Sequence, residues 1–348
     1  MAIMPAAGQT THILEVPSMI IDVHTHIVPE EFPPVGSRAS GDQWPYMDHT
    51  EPGSANVMIG GRNFRTVVNR CWDADRRVKE MPAEGIDRQV LSPMPELLAY
   101  QLPAEDGRDM GRYLSEVIAR MMDKAPDHFY GLGAVPMQNA ELATKELSYI
   151  KGLGLQGVEI MTNINGKNLG DDEFRPFLKE AESLGLSILV HGQRPTFSDR
   201  FVGPGLLENA IGFPIENALA IASVITGKVL EDCPNLRMCF SHGGGVFAQL
   251  LARMENAWNK MKPMKDHLPK PPSEYAKMMY YDDIFFNMTA LRFLIDTVGI
   301  SQVVVGSDYP FMFRDPKPQE EFDALNLTTE EREAISSANC LRFLGIAT

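Results

Sequence analysis

MIIDVHTH, residues 19–26, is the stretch that most constrains the fold of this chain. An apolar run ends in two histidines, His24 and His26, which alternation along a strand places on one side while Thr25 points away. Two imidazoles that share a direction at this separation can bind one divalent cation. The stretch therefore predicts a β-strand that ends in a candidate metal site.

A regular rhythm of strands and helices follows this first strand. Helix-like stretches such as DMGRYLSEVIARMMDKA and DEFRPFLKEAESLG alternate with short β-rich runs. Such alternation is typical of βαβ units and a parallel sheet. Seven runs follow the first, at residues 88–93, 129–136, 156–161, 186–191, 236–242, 283–287 and 302–308. Eight runs predict an α/β fold of the (β/α)8 TIM-like barrel type, whose usual size fits 348 residues.

Three segments depart from this rhythm. Residues 29–70 are rich in Pro, Gly, Ser and Asn without a helical period, which predicts a small irregular insertion after strand 1, acting as a cap. Residues 259–274 contain four prolines and are expected to be irregular too. Residues 1–18 lack the features of a signal peptide and are interpreted as a poorly ordered leader. The domain prediction is a leader, 1–18, and one barrel, 19–348.

Composition and charge narrow the class of partner. The net charge of −14 argues against nucleic acid or an anionic membrane as the main partner, although a local cluster of arginines can still attract a small acid. We find no apolar run of the length that a membrane helix needs. The four cysteines form no C-x-x-C pair, which favours a reduced, cytoplasmic protein.

Two further polar residues stand at the ends of predicted strands. His191 ends ILVH and Asp308 follows VVVGS. The carboxyl ends of barrel strands gather at one face, so these residues are expected to join His24 and His26. Three imidazoles and one carboxylate suit Zn²⁺ with a position left for water, and another divalent transition metal is compatible. Such a metal lowers the pKa of its water toward ~7.

Each piece has a simpler explanation when taken alone. An H-x-H pair can arise from core packing, a histidine that ends a strand is often a satisfied polar residue, and Asp308 before Tyr309 and Pro310 can open a turn. The coincidence of all four at one barrel mouth favours the metal site. The remaining histidines are interpreted as surface or loop residues: His12, His49, His128 and His267.

SHGGGVF, residues 241–247, raises a separate question. Its three glycines match neither G-x-G-x-x-G nor the P-loop pattern, so they are expected to let the backbone turn sharply and to leave space beside the metal. His242 is left with three roles, which are proton transfer, metal ligation and the end of a strand. Proton transfer near the metal water is the preferred interpretation, with ligation second.

The order of these residues resembles the amidohydrolase superfamily, and more closely its branch of metal-dependent, non-oxidative decarboxylases. Within that branch the α-amino-β-carboxymuconate-ε-semialdehyde decarboxylase family is most similar. The resemblance extends over nearly the whole chain. Its specific motifs are DVHTH, NFR with the following W and EGID, ILVH, HGGGVFAQLLARMENAW, PPSEY and GSDYPF.

The resemblance implies roles for the matching residues. It assigns Zn²⁺ to His24, His26, His191 and Asp308, and acid–base catalysis to His242. As a working hypothesis, Asp308 also relays a proton. The resemblance also implies that two arginines grip substrate carboxylates: Arg65 in NFR, and Arg253, which would come from the neighbouring subunit of a homodimer. From the residues alone, both arginines are ordinary surface charges.

The sequence departs from this family after two strands. GQRPTF follows His191 where a Pro-Trp stretch is expected, so Gln193 and Arg194 add polarity, and Arg194 becomes a third candidate substrate contact. MTNINGKN, residues 161–168, also differs. The predicted substrate is therefore an unsaturated or aromatic acid of a catabolic pathway, either carboxymuconate-semialdehyde-like or a hydroxylated aromatic or pyridine carboxylate.

Two other functions remain open at this point. The same site could hydrolyse or hydrate a related ring-cleavage product, although two carboxylate-binding arginines weigh against amide hydrolysis. A barrel that binds metal without catalysis is the third candidate. The open ligand position and the additional His242 argue against it.

Overall fold

Eight parallel strands form the centre of the structure, a computed structural model that describes residues 19–311 and 318–347. The strands of this part of the chain are β1 Ile21–Ile27, β2 Tyr46–Glu51, β3 Ser54–Ile59, β4 Arg62–Val68, β5 Arg88–Pro93, β6 Phe129–Gly133, β7 Gly157–Met161, β8 Asn163–Ile164, β9 Lys167–Asn168, β10 Ser187–His191, β11 Met238–Phe240, β12 Tyr280–Asp282 and β13 Val303–Val304. The parallel strands are adjacent in the order β1, β5, β6, β7, β10, β11, β12, β13.

The first and eighth strands of this order also meet. A parallel bridge joins Thr25 to Tyr309, and the Val23 N–H donates to the Val305 carbonyl at 2.8 Å. These contacts close the sheet on itself, so no strand edge is left unpaired at this seam. The predicted (β/α)8 barrel is confirmed.

Helices return the chain between the strands. They are α1 Ala74–Glu84, α2 Ala104–Lys124, α3 Ala140–Gly152, α4 Arg175–Leu184, α5 Phe213–Thr226, α6 Val229–Asp232, α7 Phe247–Lys260, α8 Lys262–His267, α9 Pro272–Ala276, α10 Met288–Val298, α11 Pro318–Ala324, α12 Thr329–Glu333 and α13 Asn339–Leu344. Their ends follow local chemistry. The Asp73 side chain accepts two backbone N–H groups where α1 begins, and Gly85, in the left-handed conformation, ends it.

Apolar side chains fill two regions of the barrel. The larger cluster lies between the strands and the surrounding helices. The smaller one lies inside the barrel, where Val23, Val90 and Leu189 contact Phe343 and Leu344 of α13. The last helix therefore covers the end of the barrel at which the strands begin, and the other end is left for polar groups.

The segment after β1 contains more regular structure than its composition indicates. Strands β2, β3 and β4 pair as an antiparallel sheet. The turn between β3 and β4 consists of Gly60 and Gly61, both with positive φ, as tight hairpins require. This sheet carries Arg65 on β4 to the side of the barrel where the strands end.

The predicted seventh strand is misplaced. The sequence indicated residues 283–287, whereas β12 ends at Asp282. Asp282 accepts the Ile284 N–H and Asp283 accepts the Gly306 N–H, so the chain turns immediately after the strand. Phe286 has a φ of 56°, which breaks any extended continuation.

The proline-rich segment is also more helical than predicted. Pro263 lies in the first turn of α8 and Pro272 in the first turn of α9. A missing N–H costs nothing at those positions, so these prolines begin helices rather than block them. The leader, with His12, lies outside the described residues.

One helical stretch in the described residues meets the length and composition of a membrane span. It runs from Glu208 to Thr226, and half of its most apolar window is buried inside the barrel fold. A core helix of a barrel passes the same test, so this stretch is weak evidence for a membrane.

Candidate metal centre

Four side chains predicted from three strands converge at the mouth of the barrel. His24 and His26 lie on β1, His191 is the last residue of β10, and Asp308 follows β13. One ligand atom from each lies within 4.8 Å of the others, and all four residues are buried. The Nε2 atoms of His24 and His26 are 3.0 Å apart, and Asp308 Oδ1 is 3.1 Å from the latter. This cluster could hold one metal ion.

Each of the three histidines has an acceptor on its other ring nitrogen. Nδ1 of His24 lies 2.7 Å from Asp282 Oδ2, and Nδ1 of His26 lies 3.0 Å from the Pro93 carbonyl. Nδ1 of His191 lies 2.8 Å from the Gly192 carbonyl. Such acceptors keep the proton on Nδ1 and leave Nε2 with its lone pair, which is the arrangement a metal-binding histidine needs.

His191 gives the most direct test of whether these residues fit a metal. Its Nε2 atom is buried and has no hydrogen-bond partner among the described residues. Burial, and then the nearby His24, His242 and His26, hold the pKa of His191 well below its usual value, so the ring is neutral. A buried lone pair without a donor is costly, and a cation at this position would remove that cost.

Without a metal, a proton on His24 provides the positive charge of the cluster. Burial alone lowers the pKa of His24, but the hydrogen bond and charge of Asp282 outweigh it and raise that pKa to about 9. Burial raises the pKa of Asp308, yet His26 and the other histidines lower it to about 2. The metal-free site thus favours an ionised carboxylate beside a protonated imidazole, and a cation can replace that proton.

The SHGGGVF segment forms a tight turn beside this cluster. His242 and the three glycines after it all have positive φ, between 53° and 69°. A Cβ on Gly243 would lie 2.0 Å from the Phe285 ring, and one on Gly245 would lie 1.9 Å from the Pro214 carbonyl oxygen. The glycines are therefore required both for the backbone conformation and for close approach. The expected sharp turn is present, whereas the places of the missing Cβ atoms are filled by neighbouring residues and not left open beside the cluster.

The turn holds His242 against the candidate ligands. Its ring centroid is 5.4 Å from that of His24 and 5.0 Å from that of His191. The Ser241 hydroxyl lies 3.2 Å from its Nδ1. Burial, and then the charge of His24, lower the pKa of His242, so its imidazole is neutral near pH 7 and can accept a proton.

Arg65 is brought to the mouth by the insertion. Its guanidinium lies 4.5 Å from the centroid of the Phe311 ring, which stacks on His26 at 5.8 Å. Its Nη2 also forms an ion pair with Glu96 at 3.0 Å. Arg65 is thus separated from a candidate ligand by one aromatic ring.

The other two predicted arginines differ in position. Arg194 lies three residues beyond His191, is exposed, and interacts electrostatically with Glu96, so it shares the mouth with Arg65. Arg253 is exposed on α7 and makes no hydrogen bond or ion pair within residues 19–311 and 318–347. The structure does not bring Arg253 together with the cluster of its own chain.

Several residues of the site were missed from the sequence. Asp282 and Glu159 are fully buried carboxylates on β12 and β7. Both oxygens of Glu159 lack a hydrogen-bond partner in the described residues, although Oε2 is 3.7 Å from Nδ1 of His26. Burial is the main reason why the pKa of Glu159 rises to about 7. Phe213 also contacts the site, because its ring stacks on His242 at 6.3 Å.

The histidines outside the cluster lie elsewhere. His49 and His267 are exposed, and His128 is partly buried. His49 forms an ion pair with Glu31 at 3.0 Å, and Nε2 of His267 bonds to the Thr226 carbonyl. These contacts agree with surface or loop positions.

Comparison with known proteins places this geometry in a family context. The model of the amidohydrolase family matches residues 21–346. A 2-amino-3-carboxymuconate-6-semialdehyde decarboxylase of Dictyostelium discoideum is 35% identical over 332 residues, which cover 94% of this chain and 92% of that protein. A gamma-resorcylate decarboxylase of Rhizobium sp. (strain MTP-10005) is 25% identical, over 82% of this chain and 91% of its own length.

A solved structure shares the fold. The apo form of the Metarhizium anisopliae protein IDCase superposes with a TM-score of 0.80 at 21% identity, covering 94% of this chain and 97% of that one. The similarity of fold therefore extends over nearly the whole chain.

Proposed function

This chain belongs to the amidohydrolase family and is a metal-dependent carboxy-lyase, and from that premise we propose its substrate class. We propose that it releases CO2, without an oxidant, from an unsaturated or aromatic carboxylic acid in a catabolic pathway. Carboxymuconate-semialdehyde-like compounds and hydroxylated aromatic or pyridine carboxylates are the two candidate classes. The relatives named above act on one or the other type of acid.

The observation that carries the proposal is the buried, unpartnered Nε2 of His191 beside two further histidines and Asp308. We propose that these four residues hold Zn²⁺. Three nitrogens and one oxygen are a donor set that zinc accepts, and Mn²⁺ or another divalent transition metal is the alternative. A divalent ion there would act as a Lewis acid toward the substrate or water bound to it.

His242 is proposed as the group that moves a proton. Loss of CO2 leaves an electron pair on carbon, and a proton must be held ready and delivered to the carbon skeleton. Burial lowers the pKa of His242 and keeps its ring neutral, so the ring can take a proton from the substrate or from water and then deliver it to carbon, and stacking on Phe213 fixes the orientation of the ring. Asp308 is proposed as a ligand that also relays a proton.

The mouth supplies binding for a carboxylate of the substrate. Arg65 and Arg194 are proposed to orient it, because a guanidinium binds a carboxylate through two parallel hydrogen bonds. The Phe311 ring on one side and the Phe213 ring on the other form apolar walls that suit a flat, conjugated acid. Glu96 holds Arg65 in place until the substrate arrives.

We propose a homodimer in which Arg253 reaches the partner's site. The face formed by α5, α7 and α10 exposes Leu219, Leu250 and Phe293, although helices of a barrel usually bury such residues. Arg253 lies on the same helix as Leu250 and has no charged partner in the described residues. A second copy seated on this face would cover the apolar residues and give Arg253 an anion to bind.

The four cysteines support a reducing compartment. Each one is buried and free, so none forms a disulfide. Free thiols are the usual state in the cytoplasm, and we propose that the protein acts there.

A substrate screen with two readouts tests the proposed reaction. Purified protein with a measured zinc content is mixed, under nitrogen, with carboxymuconate semialdehydes and with hydroxylated benzoates and pyridine carboxylates. Ultraviolet absorbance reports consumption, and labelled carboxylates report CO2. Release of one CO2 per molecule consumed supports the proposal. A hydrated or hydrolysed product without CO2 would assign the site to the hydratase or hydrolase alternative instead.

A further inference from the structure

Asp282 joins two parts of the site that the chain places far apart in sequence. It is the last residue of β12 and is fully buried. Its Oδ2 accepts a hydrogen bond from Nδ1 of His24 at 2.7 Å. Its Oδ1 accepts the backbone N–H groups of Gly243 at 2.8 Å and Ile284 at 3.2 Å. One carboxylate therefore contacts both β1 and the turn that follows β11.

One backbone N–H group of the turn, that of Gly243, has its hydrogen-bond acceptor outside the turn. Residues 242–245 all have positive φ, which is costly for the non-glycine residue, His242. Within the turn, Gly244 N–H donates to the Ser241 carbonyl and Gly245 N–H to that of His242. Gly243 N–H instead donates to Oδ1 of Asp282, so this bond ties the turn to the neighbouring strand.

We infer that Asp282 is a positioning residue, which aligns His24 for metal binding and fixes His242 through the backbone of Gly243. The inference rests on the proposed metal site, since it takes His24 to be a ligand. Acceptors on metal-binding histidines set both the tautomer and the direction of the ring. The additional contact with Gly243 lets the same group set the distance between the metal and the proton-transferring imidazole.

The chemistry of an amide makes this inference testable. In Asp282→Asn, the two backbone N–H donors keep the amide oxygen on their side, so the amide nitrogen faces His24. An N–H group facing Nδ1 forces that nitrogen to become the acceptor. The imidazole proton then moves to Nε2, which can no longer bind a cation.

The first experiment compares zinc affinity in two variants. Asp282→Asn is the test, and Asp106→Asn is the control, because Asp106 is also buried and also accepts a backbone N–H, that of Ser40 at 2.6 Å. Zinc dissociation constants are measured by chelator competition, and the cobalt-loaded proteins are compared by visible absorbance. We expect about 10- to 100-fold weaker zinc binding and an altered cobalt spectrum for Asp282→Asn alone.

A second experiment follows the other contact. Hydrogen exchange at the Gly243 amide should stay slow in Asp282→Asn, which keeps an oxygen there, and become fast in Asp282→Ala, which does not. Equal protection in both variants would show that Asp282 does not hold the turn. Wild-type zinc affinity and an unchanged cobalt spectrum in Asp282→Asn would overturn the inference about His24.

If the variants do not fold, nitrogen NMR of the metal-free wild-type protein can still show which ring nitrogen of His24 carries the proton. We expect His24 to carry a proton on Nδ1 that is hydrogen-bonded to a carboxylate. A His24 ring with its proton on Nε2 alone would overturn the inference. If wild-type protein binds no zinc, the proposed function fails, whereas the His24 tautomer and the Gly243 exchange still decide the role of Asp282.

Discussion

Gly245→Ala is expected to be far more damaging than the same substitution at a glycine that only ends a helix. Gly245 has φ 62° and ψ −126°, a region that residues with a side chain avoid. The added Cβ would also lie 1.9 Å from the carbonyl oxygen of Pro214, a backbone atom that cannot rotate away. Backbone strain of about 1–3 kcal/mol and overpacking of about 1–3 kcal/mol should together lower the free energy of unfolding by about 4 kcal/mol.

Gly85→Ala provides the matched control. Gly85 also has positive φ, 72°, but with ψ 25° it lies in the left-handed region that other residues can enter. No atom lies within 4 Å of a Cβ added there. The expected cost is therefore only the left-handed penalty of about 1–2 kcal/mol.

Urea unfolding of the metal-free proteins measures the decrease in unfolding free energy for each variant. Zinc affinity and turnover are measured for the same two variants. Gly245→Ala should also lower turnover, because the backbone must move next to His242, while Gly85→Ala should not. Equal unfolding free energies for the two variants would refute the reasoning, since the close approach to Pro214 would then carry no energy.

Four other predictions follow from the site. The pKa of Glu159 is raised from 4.5 to about 7, so the folded protein keeps the carboxyl proton to a higher pH than the unfolded chain does. The free energy of unfolding of the metal-free protein should therefore fall by about 3 kcal/mol from pH 4.5 to 7. Glu159→Gln should remove that decline when urea unfolding is followed at several pH values. His242→Ala should keep its zinc by elemental analysis yet lose turnover by at least about 100-fold, so a fully active variant would exclude the proton-transfer role. Arg65→Lys should raise KM more than it lowers kcat in steady-state assays, because an ammonium cannot replace the bidentate guanidinium. Mixing inactive His242→Ala and Arg253→Ala proteins should restore activity if each site uses an arginine of the partner, whereas two independent sites would stay inactive.

The barrel was predictable because its strands are short apolar runs at regular spacing. The metal cluster was predictable for a related reason, since His191 and Asp308 end such runs and strand ends meet at one face. Strand β7 contained an additional signal. Glu159 pairs with Leu189, and two residues further along the two strands Met161 pairs with His191. Residues two apart on a strand face the same side, so the carboxylate of Glu159 faces the barrel interior as His191 does.

Other parts could not be predicted from local pattern. Strand β2 reads YMDHTE, and five of its six residues are exposed, so no apolar alternation marks it. Two dipeptides, Pro52–Gly53 and Gly60–Gly61, were the local turn signals in the insertion, and they connect β2 to β3 and β3 to β4. The contact of Phe311 with both Arg65 and His26 joins three distant segments, and no spacing in the sequence specifies it.

The end of β12 shows the same limit. Two carboxylates in a row, Asp282 and Asp283, suggest a solvated loop, and the apolar residues after them suggest a strand. The structure shows the opposite in both cases. The two carboxylates are buried and accept backbone N–H groups of other segments, and the apolar residues after them form no strand. Their partners lie 39 and 23 residues away, which a local pattern cannot reveal.

CO2 release before and after removal of the metal tests whether this chain is a metal-dependent decarboxylase. Labelled CO2 is counted under nitrogen from wild-type protein as purified, after chelation, and after zinc is returned. Release should stop on chelation and resume with zinc, and His191→Ala should not recover. CO2 release that continues undiminished in fully metal-free protein would contradict the account.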